Sequence, residues 1–274
     1  MNNKKRFDQI TKSIKTIKIQ GARNVAKSAL LAYSLIPTQA SITQLISLRP
    51  TEPMLQKVLS LVKKKSYPEI LAHFDIAQEK INKEVFRLIK SGDKVSTHCH
   101  STNVVNALIY TKKKGKDFEV FNTETRPLFQ GRKTAKELKR AKIKSTMFID
   151  SAFAMILEKE DREDRVYVDK IFLGADALLE KGIINKIGSK VISELAFNHK
   201  IPLYIVADSW KYSSKKIPIE NRSLNEIWDH APKKIKMQNP AFEFVPEKYI
   251  TKIVTELGTM NYKDFIKKVK LIKN

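Results

Sequence analysis

Residues 94–112, KVSTHCHSTNVVNALIYTK, change the pattern of the chain. The β-branched run from Lys94 to His98 reads as a strand. A polar loop follows, and from Asn103 to Lys112 apolar residues recur at helical spacing. Downstream, the same unit repeats. Further strands are expected at Phe118 to Asn122, Ser145 to Ile149, Lys170 to Leu173 and Leu203 to Val206. Helices are expected near Ala135 to Lys142, Ala152 to Leu157 and Lys190 to His199. Strands alternating with helices argue for a parallel sheet with covering helices. The tail from Lys233 is less regular and ends in an amphipathic segment, Tyr262 to Ile272.

Upstream of residue 94 the period is helical throughout. Ile10, Ile14, Ile17 and the run Val25 to Leu35 recur every three or four residues. Met54, Leu55, Val58, Leu59 and Val62 do the same, as do Ile70, Leu71, Phe74, Ile81, Val85 and Leu88. Pro37 and Pro50 interrupt, and Ser91-Gly92-Asp93 closes the segment. The expected architecture is α/β: a helical N-terminal domain, residues 1–92, followed by a Rossmann-like parallel-sheet domain, residues 93–274. No internal repeat or low-complexity linker divides it further.

Composition narrows the function. The 274 residues carry 52 Lys+Arg against 29 Asp+Glu, a formal charge of +23. That balance fits a nucleic-acid binder or an enzyme for phosphorylated substrates. The lysine runs at 63–65, 112–114, 215–216, 233–234 and 267–268 are scattered, not gathered in one arm. Lys also outnumbers Arg, the residue that reads bases in a fork. Direct nucleic-acid binding is therefore not the expected role. The one cysteine excludes an intrachain disulfide and a Cys-cluster metal site, as in a reducing compartment. No apolar run approaches the ~20 residues of a membrane helix, and the N-terminus lacks a secretory signal. A soluble, cytoplasmic chain is expected.

In open parallel sheets ligands bind beyond the carboxyl ends of the strands, and four loops there are polar. In Thr97 to Asn103, Cys99 lies between a strand and a helix that Ser101 or Thr102 caps, which fits either an acid/base thiol with its thiolate favoured or a buried structural cysteine. His98 and His100 flank it but point to opposite sides of an extended chain, which argues against a shared metal. In Glu124 to Arg132, Arg126 is placed to fork a phosphate or to pair with Glu124, and Thr134 with Glu137 reads as a capping box. Gly174-Ala175-Asp176 turns tightly and presents Asp176 at the ligand edge, or as a simple cap. Ile183 to Ser189 reads as a loop running into a helix, with Lys186 ahead of an anion-friendly N-terminus.

Together these strings resemble one family. THCHS (97–101), TETRP with QG (123–131), GAD (174–176), INKIG (184–188) and NPAF (239–242) are similar to the superfamily of translation initiation factor 2B alpha, beta and delta subunits and sugar-phosphate isomerases. The archaeal ribose-1,5-bisphosphate isomerases are the branch most alike, through THCHS and TETRPLFQGRKTAKEL (123–138). QGARNVAKSA (20–29) and LRPT (48–51) extend the likeness into the helical domain. The resemblance implies conversion of ribose 1,5-bisphosphate to ribulose 1,5-bisphosphate during nucleoside monophosphate degradation. It implies a homo-oligomer, a dimer or a hexamer of dimers, and no metal, nicotinamide or other cofactor. Position by position, it makes Cys99 and Asp176 the catalytic pair. Gly21, Ala22 and Arg49, with Gln20 and Arg23 beside them, would hold one phosphate. Ser101, Thr102, Arg126, Asn185, Lys186 and Lys211 would line the sugar and the second phosphate.

The chain departs from that pattern in a few places. Gln20 stands where the isomerases have arginine, Arg23 where they have glycine, Thr102-Asn103 where they have lysine and a small residue, and Glu52 adds a negative charge after Arg49-Pro50-Thr51. Two rival roles follow from the same resemblance. One is a non-catalytic initiation-factor-like subunit that senses a nucleotide or sugar phosphate. The other is a methylthioribose-1-phosphate isomerase, which handles a monophosphate.

Overall fold

A computed structural model describes residues 2–157 and 166–273. Five helices lead. Asn2 caps α1 (Asn3–Lys15) by accepting from the Lys4 N–H, and Thr38 caps α3 (Gln39–Leu48) by accepting from Ser41. Pro53 opens α4 (Pro53–Leu61), where its missing N–H costs nothing. Ser66 and Glu69 form a capping box on α5 (Tyr67–Leu88). Gly21 precedes α2 (Ala22–Leu35) and offers no side-chain cap.

The apolar stripes of these helices meet in two clusters. Phe7, Ile14, Val25, Leu45 and Leu59 form one, and Ala26, Leu30, Met54, Ile70 and Phe74 the other. Farther along α5, Ile81 and Val85, with Ile89 just after it, pack under the sheet with Val95, Leu108 and Val120. One long helix thus shares its stripe between the helical layer and the sheet.

The main sheet has seven strands. They are β1 (Lys94–Thr97), β2 (Glu119–Thr123), β3 (Lys144–Phe148), β4 (Lys170–Leu173), β7 (Leu203–Val206), β9 (Lys252–Thr255) and β10 (Gly258–Met260). Their order is β10-β9-β7-β4-β1-β2-β3. All pairs are parallel except β9 with β10. Alternate residues of each strand face opposite layers. In β4, Phe172 packs with α5, α6 (Thr102–Lys113) and α7 (Gln130–Arg140), while Ile171 and Leu173 pack with α8 (Ser189–Asn198) and α9 (Tyr262–Lys273). Both faces are covered, which is why the strands read as continuous apolar runs. The expected α/β class, with a mostly parallel sheet, is found.

A second sheet is antiparallel, in the order β5-β6-β8: β5 (Ala177–Leu179), β6 (Gly182–Lys186) and β8 (Phe242–Pro246). Residues 183–186, expected as a polar loop, therefore form most of β6. Asn185 and Lys186 are buried at the end of β6, where polar residues break the apolar run that marks the other strands. Asp150–Ile156 winds as a 3-10 helix, not an α-helix. Thr134 and Glu137 do not cap α7, because α7 begins earlier, at Gln130. There Gly131 lies so close to β2 that a Cβ would stand 1.8 Å from the Thr123 carbonyl oxygen. Thr134 instead lies within the helix, and its hydroxyl donates to the Cys99 carbonyl at 2.8 Å.

Candidate active site

The strand order reverses between β1 and β4, and a cavity opens at their carboxyl ends. β1 supplies Cys99, Ser101 and Thr102. β4 supplies Gly174 to Asp176, and β6 supplies Asn185 and Lys186. The helical layer closes the far wall with Gln20, Gly21, Ala22 and Arg23 at the start of α2, and with Arg49 and Glu52 between α3 and α4. A 3-10 turn at Ser209–Lys211 adds Lys211. Gly174 allows the close approach of β4 to the cap of α6. A Cβ there would meet the Ser101 Cβ and Oγ at 2.6 Å.

Cys99 has a φ of 65°, in the left-handed region that costs a side-chain-bearing residue energy. Two threonines hold it there. The Cys99 N–H donates to Thr125 Oγ1 at 3.0 Å, and the Cys99 carbonyl accepts from Thr134. The thiol does not have the favoured thiolate of the first sequence reading. Burial pushes it up to about 12, and the nearby Asp176 charge adds to that. The His100 N–H and Lys186 pull the other way but do not win. Ser101 does cap α6, accepting from Val104 at 3.5 Å, but the helix N-terminus is outweighed by loss of solvent around the sulfur.

Asp176 is also pushed up by burial, against the opposing charges of Lys211, Arg49 and Lys186. Lys186 is pushed down by burial. Burial thus raises the proton affinity of Cys99 and Asp176 and lowers that of Lys186. Lys211 is held in place. Its Nζ donates to the Ala175 carbonyl at 2.6 Å. The turn that carries it is pinned by Asp208, which accepts from Trp210 N–H at 2.8 Å and lies 3.1 Å from His73 Nε2 of α5. The His73 ring stacks on Trp210 with centroids 3.4 Å apart.

One expected site residue falls elsewhere. Arg126 is not part of the cavity wall. Its guanidinium donates to the Ile227 carbonyl at 3.1 Å and lies over the Phe129 ring. Asp150 holds the Thr125 and Arg126 N–H groups at 2.8 and 2.6 Å, which fixes the chain in that direction. Glu124 pairs with Arg132 at 3.3 Å, not with Arg126.

The sequence reading did not include Gln130, Lys133 and Arg222 in the site, though all three line the cavity. Gln130 and Lys133 belong to the quoted TETRP string. Arg222 lies in an irregular stretch with no pattern to mark it. His98 is a buried support. Nε2 donates to the Ile187 carbonyl at 2.8 Å, and Nδ1 is 2.5 Å from Thr123 Oγ1. Burial pushes the imidazole down, and both nitrogens are engaged. Among the described residues, His73, Asp208 and Glu256 form the one group of three with the spacing of metal ligands. His73 already bonds to Asp208, and Glu256 accepts from Ser209.

The family model of the initiation factor 2 subunits matches residues 34–262. The chain belongs to the initiation factor 2 subunit family. Among curated members, ribose 1,5-bisphosphate isomerase of Methanocaldococcus jannaschii is 33% identical over 279 residues, covering 89% of this chain and 88% of that protein. Methylthioribose-1-phosphate isomerase of Natranaerobius thermophilus is 34% identical over 261 residues, covering 81% of this chain and 74% of that protein. The crystal structure of translation initiation factor eIF-2B from Pyrococcus horikoshii superimposes with a TM-score of 0.81 at 22% identity, over 93% of this chain and 97% of that one. At that identity the likeness speaks for the fold alone.

Proposed function

We propose that this family member is an aldose–ketose isomerase of a C1-phosphorylated pentose, taking ribose 1,5-bisphosphate to ribulose 1,5-bisphosphate. One observation carries the reading. Cys99 from β1 and Asp176 from β4 share one cavity, near enough for the Asp176 charge to bear on the thiol.

The chemistry needs Cys99 protonated and Asp176 ionised at the start, the carboxylate supported by the charges of Lys211, Arg49 and Lys186. A sugar with phosphate on C1 cannot open its ring without proton transfer. The protonated Cys99 thiol gives its proton to the ring oxygen as the C1–O bond breaks. The thiolate left behind, near Lys186, takes the proton from C2, and an enol phosphate forms across C1 and C2. The thiol then returns that proton to C1 while Asp176 accepts the proton of the 2-hydroxyl, leaving the C2 ketone. The proton on Asp176 resets the thiol, so the cycle closes with no net change in protons. Lys186, Lys211 and Arg49, with the uncapped start of α2 at Gly21, Ala22 and Arg23, supply positive charge for the phosphates. Gln20, Ser101, Thr102 and Asn185 add neutral polar groups around the sugar. We infer a homo-oligomer for the working enzyme, to be measured by light scattering.

Turnover of ribose 1,5-bisphosphate by the purified chain tests the reading. Cys99→Ser and Asp176→Asn are each expected to lower kcat by about 10²-fold or more. Absence of turnover in the wild type overturns it.

A further inference from the structure

The wall built by Arg49 is already neutralised from within. Arg49 Nη2 lies 3.0 Å from Glu52 Oε1 and 3.2 Å from Glu220 Oε2. Glu220 in turn lies 3.0 Å from Arg222 Nε. Arg49 and Glu52 are only 6% and 3% exposed, so water does little to screen the pair. Yet the pairing is incomplete. Arg49 Nε and Glu52 Oε2 are buried with no hydrogen-bond partner. Unmade bonds at a cavity wall are costly unless a ligand completes them. Lys186 and Lys211, by contrast, have no carboxylate within ion-pair distance among the described residues, so they remain open to an anion.

We propose that Glu52 is a displaceable counter-ion that holds Arg49 at the cavity wall and, on taking up a proton, releases it to a phosphate dianion of the substrate. The proposal rests on the sugar-phosphate reading of this cavity and makes Glu52 a specificity-determining residue of it. The charged groups around Glu52 are Arg49 at the end of α3, Asp176 after β4, Lys211 on the 3-10 turn and Glu220 in the loop before β8. Arg23, Lys186 and Arg222 complete the cavity wall. Burial and then Asp176 push the Glu52 carboxyl up to about 7, with Arg49 and Lys211 opposing. A phosphate arriving at Arg49 removes the main opposing cation and brings negative charge, and both favour the protonated acid. Protonated Glu52 can also donate a hydrogen bond to a phosphate oxygen, which a carboxylate cannot.

The test is calorimetric titration at pH 8 in buffers of different ionisation enthalpy, with ribose 1,5-bisphosphate and, separately, inorganic phosphate. Wild type is expected to take up most of one proton per bound ligand beyond any uptake seen with Glu52→Gln. Holding a proton at pH 8 on a group that titrates near 7 costs affinity, so Glu52→Gln is expected to bind about tenfold tighter at pH 8. At pH 5.5 that advantage should vanish. Glu220→Gln should leave the proton uptake in place. Equal uptake in wild type and Glu52→Gln, weaker binding by Glu52→Gln at pH 8, or no phosphate binding by a folded wild type overturns the proposal. Thermal melts of each variant report folding. Turnover is assayed on the same samples. Binding with proton uptake but no isomerisation would sink the enzyme reading and leave Glu52 as argued, and the converse result would do the opposite.

Discussion

At the scale of single residues, the site is governed by loss of solvent. Cys99, Asp176 and Glu52 are all shifted toward their protonated forms, with burial the largest cause each time. This leaves a thiol able to act first as an acid, which a thiolate could not. The direction can be checked chemically, because Cys99 is the single cysteine. A thiol raised to about 12 holds far less thiolate at pH 8 than an ordinary one. Iodoacetamide should therefore label native protein at pH 8 at least about 10²-fold more slowly than unfolded protein, measured by intact mass. The native rate should keep rising as pH increases past 9. Rapid native labelling that levels off below pH 8 would mean an activated thiolate and would reverse the assignment of Cys99 as the initial acid.

At the scale of elements, the site depends on close backbone contacts more than on any one helix. Gly131 lets the start of α7 lie on the end of β2, and Gly174 lets the end of β4 meet the cap of α6. The two contacts differ in what must give way. At Gly131 the obstacle is the Thr123 backbone carbonyl, which cannot rotate aside, so Gly131→Ala must displace the helix. We expect a loss of about 3 kcal/mol or more, read as a fall in the denaturant midpoint. At Gly174 the obstacle is the Ser101 side chain at the rim of the cavity. Gly174→Ala should therefore cost turnover more than stability, and a variant that unfolds but retains full kcat when folded would contradict this. Neither glycine marks its role by local pattern, since each is defined by a partner element distant in sequence.

At the scale of the whole molecule, the +23 charge is mostly spread over the surface. Pairs such as Lys144 with Glu119 and Lys83 with Glu79 are exposed and contribute little. Only a few cations face the cavity. Any association with duplex DNA should be nonspecific, and fluorescence anisotropy should show it lost between 50 and 200 mM salt, the behaviour of diffuse phosphate contacts. Tight binding that survives 200 mM salt and prefers one sequence would refute this. No helix among the described residues is long and apolar enough to cross a membrane. The alternation of strands and helices after residue 94 was legible in the sequence because buried parallel strands and amphipathic helices leave different periods in a chain. The resemblance carried by THCHS, GAD and INKIG likewise pointed to the loops that meet in the cavity. The sequence could not show that residues 183–186 are a strand, that Arg126 turns away to Ile227, or that Arg222 reaches the cavity from an irregular loop. Nor could it show that the thiol is held protonated, or that Glu52 closes on Arg49. Periodicity is a local property that each segment carries by itself. Burial, ion pairing and proton affinity depend on which distant segments share a space, and only the tertiary fold decides that.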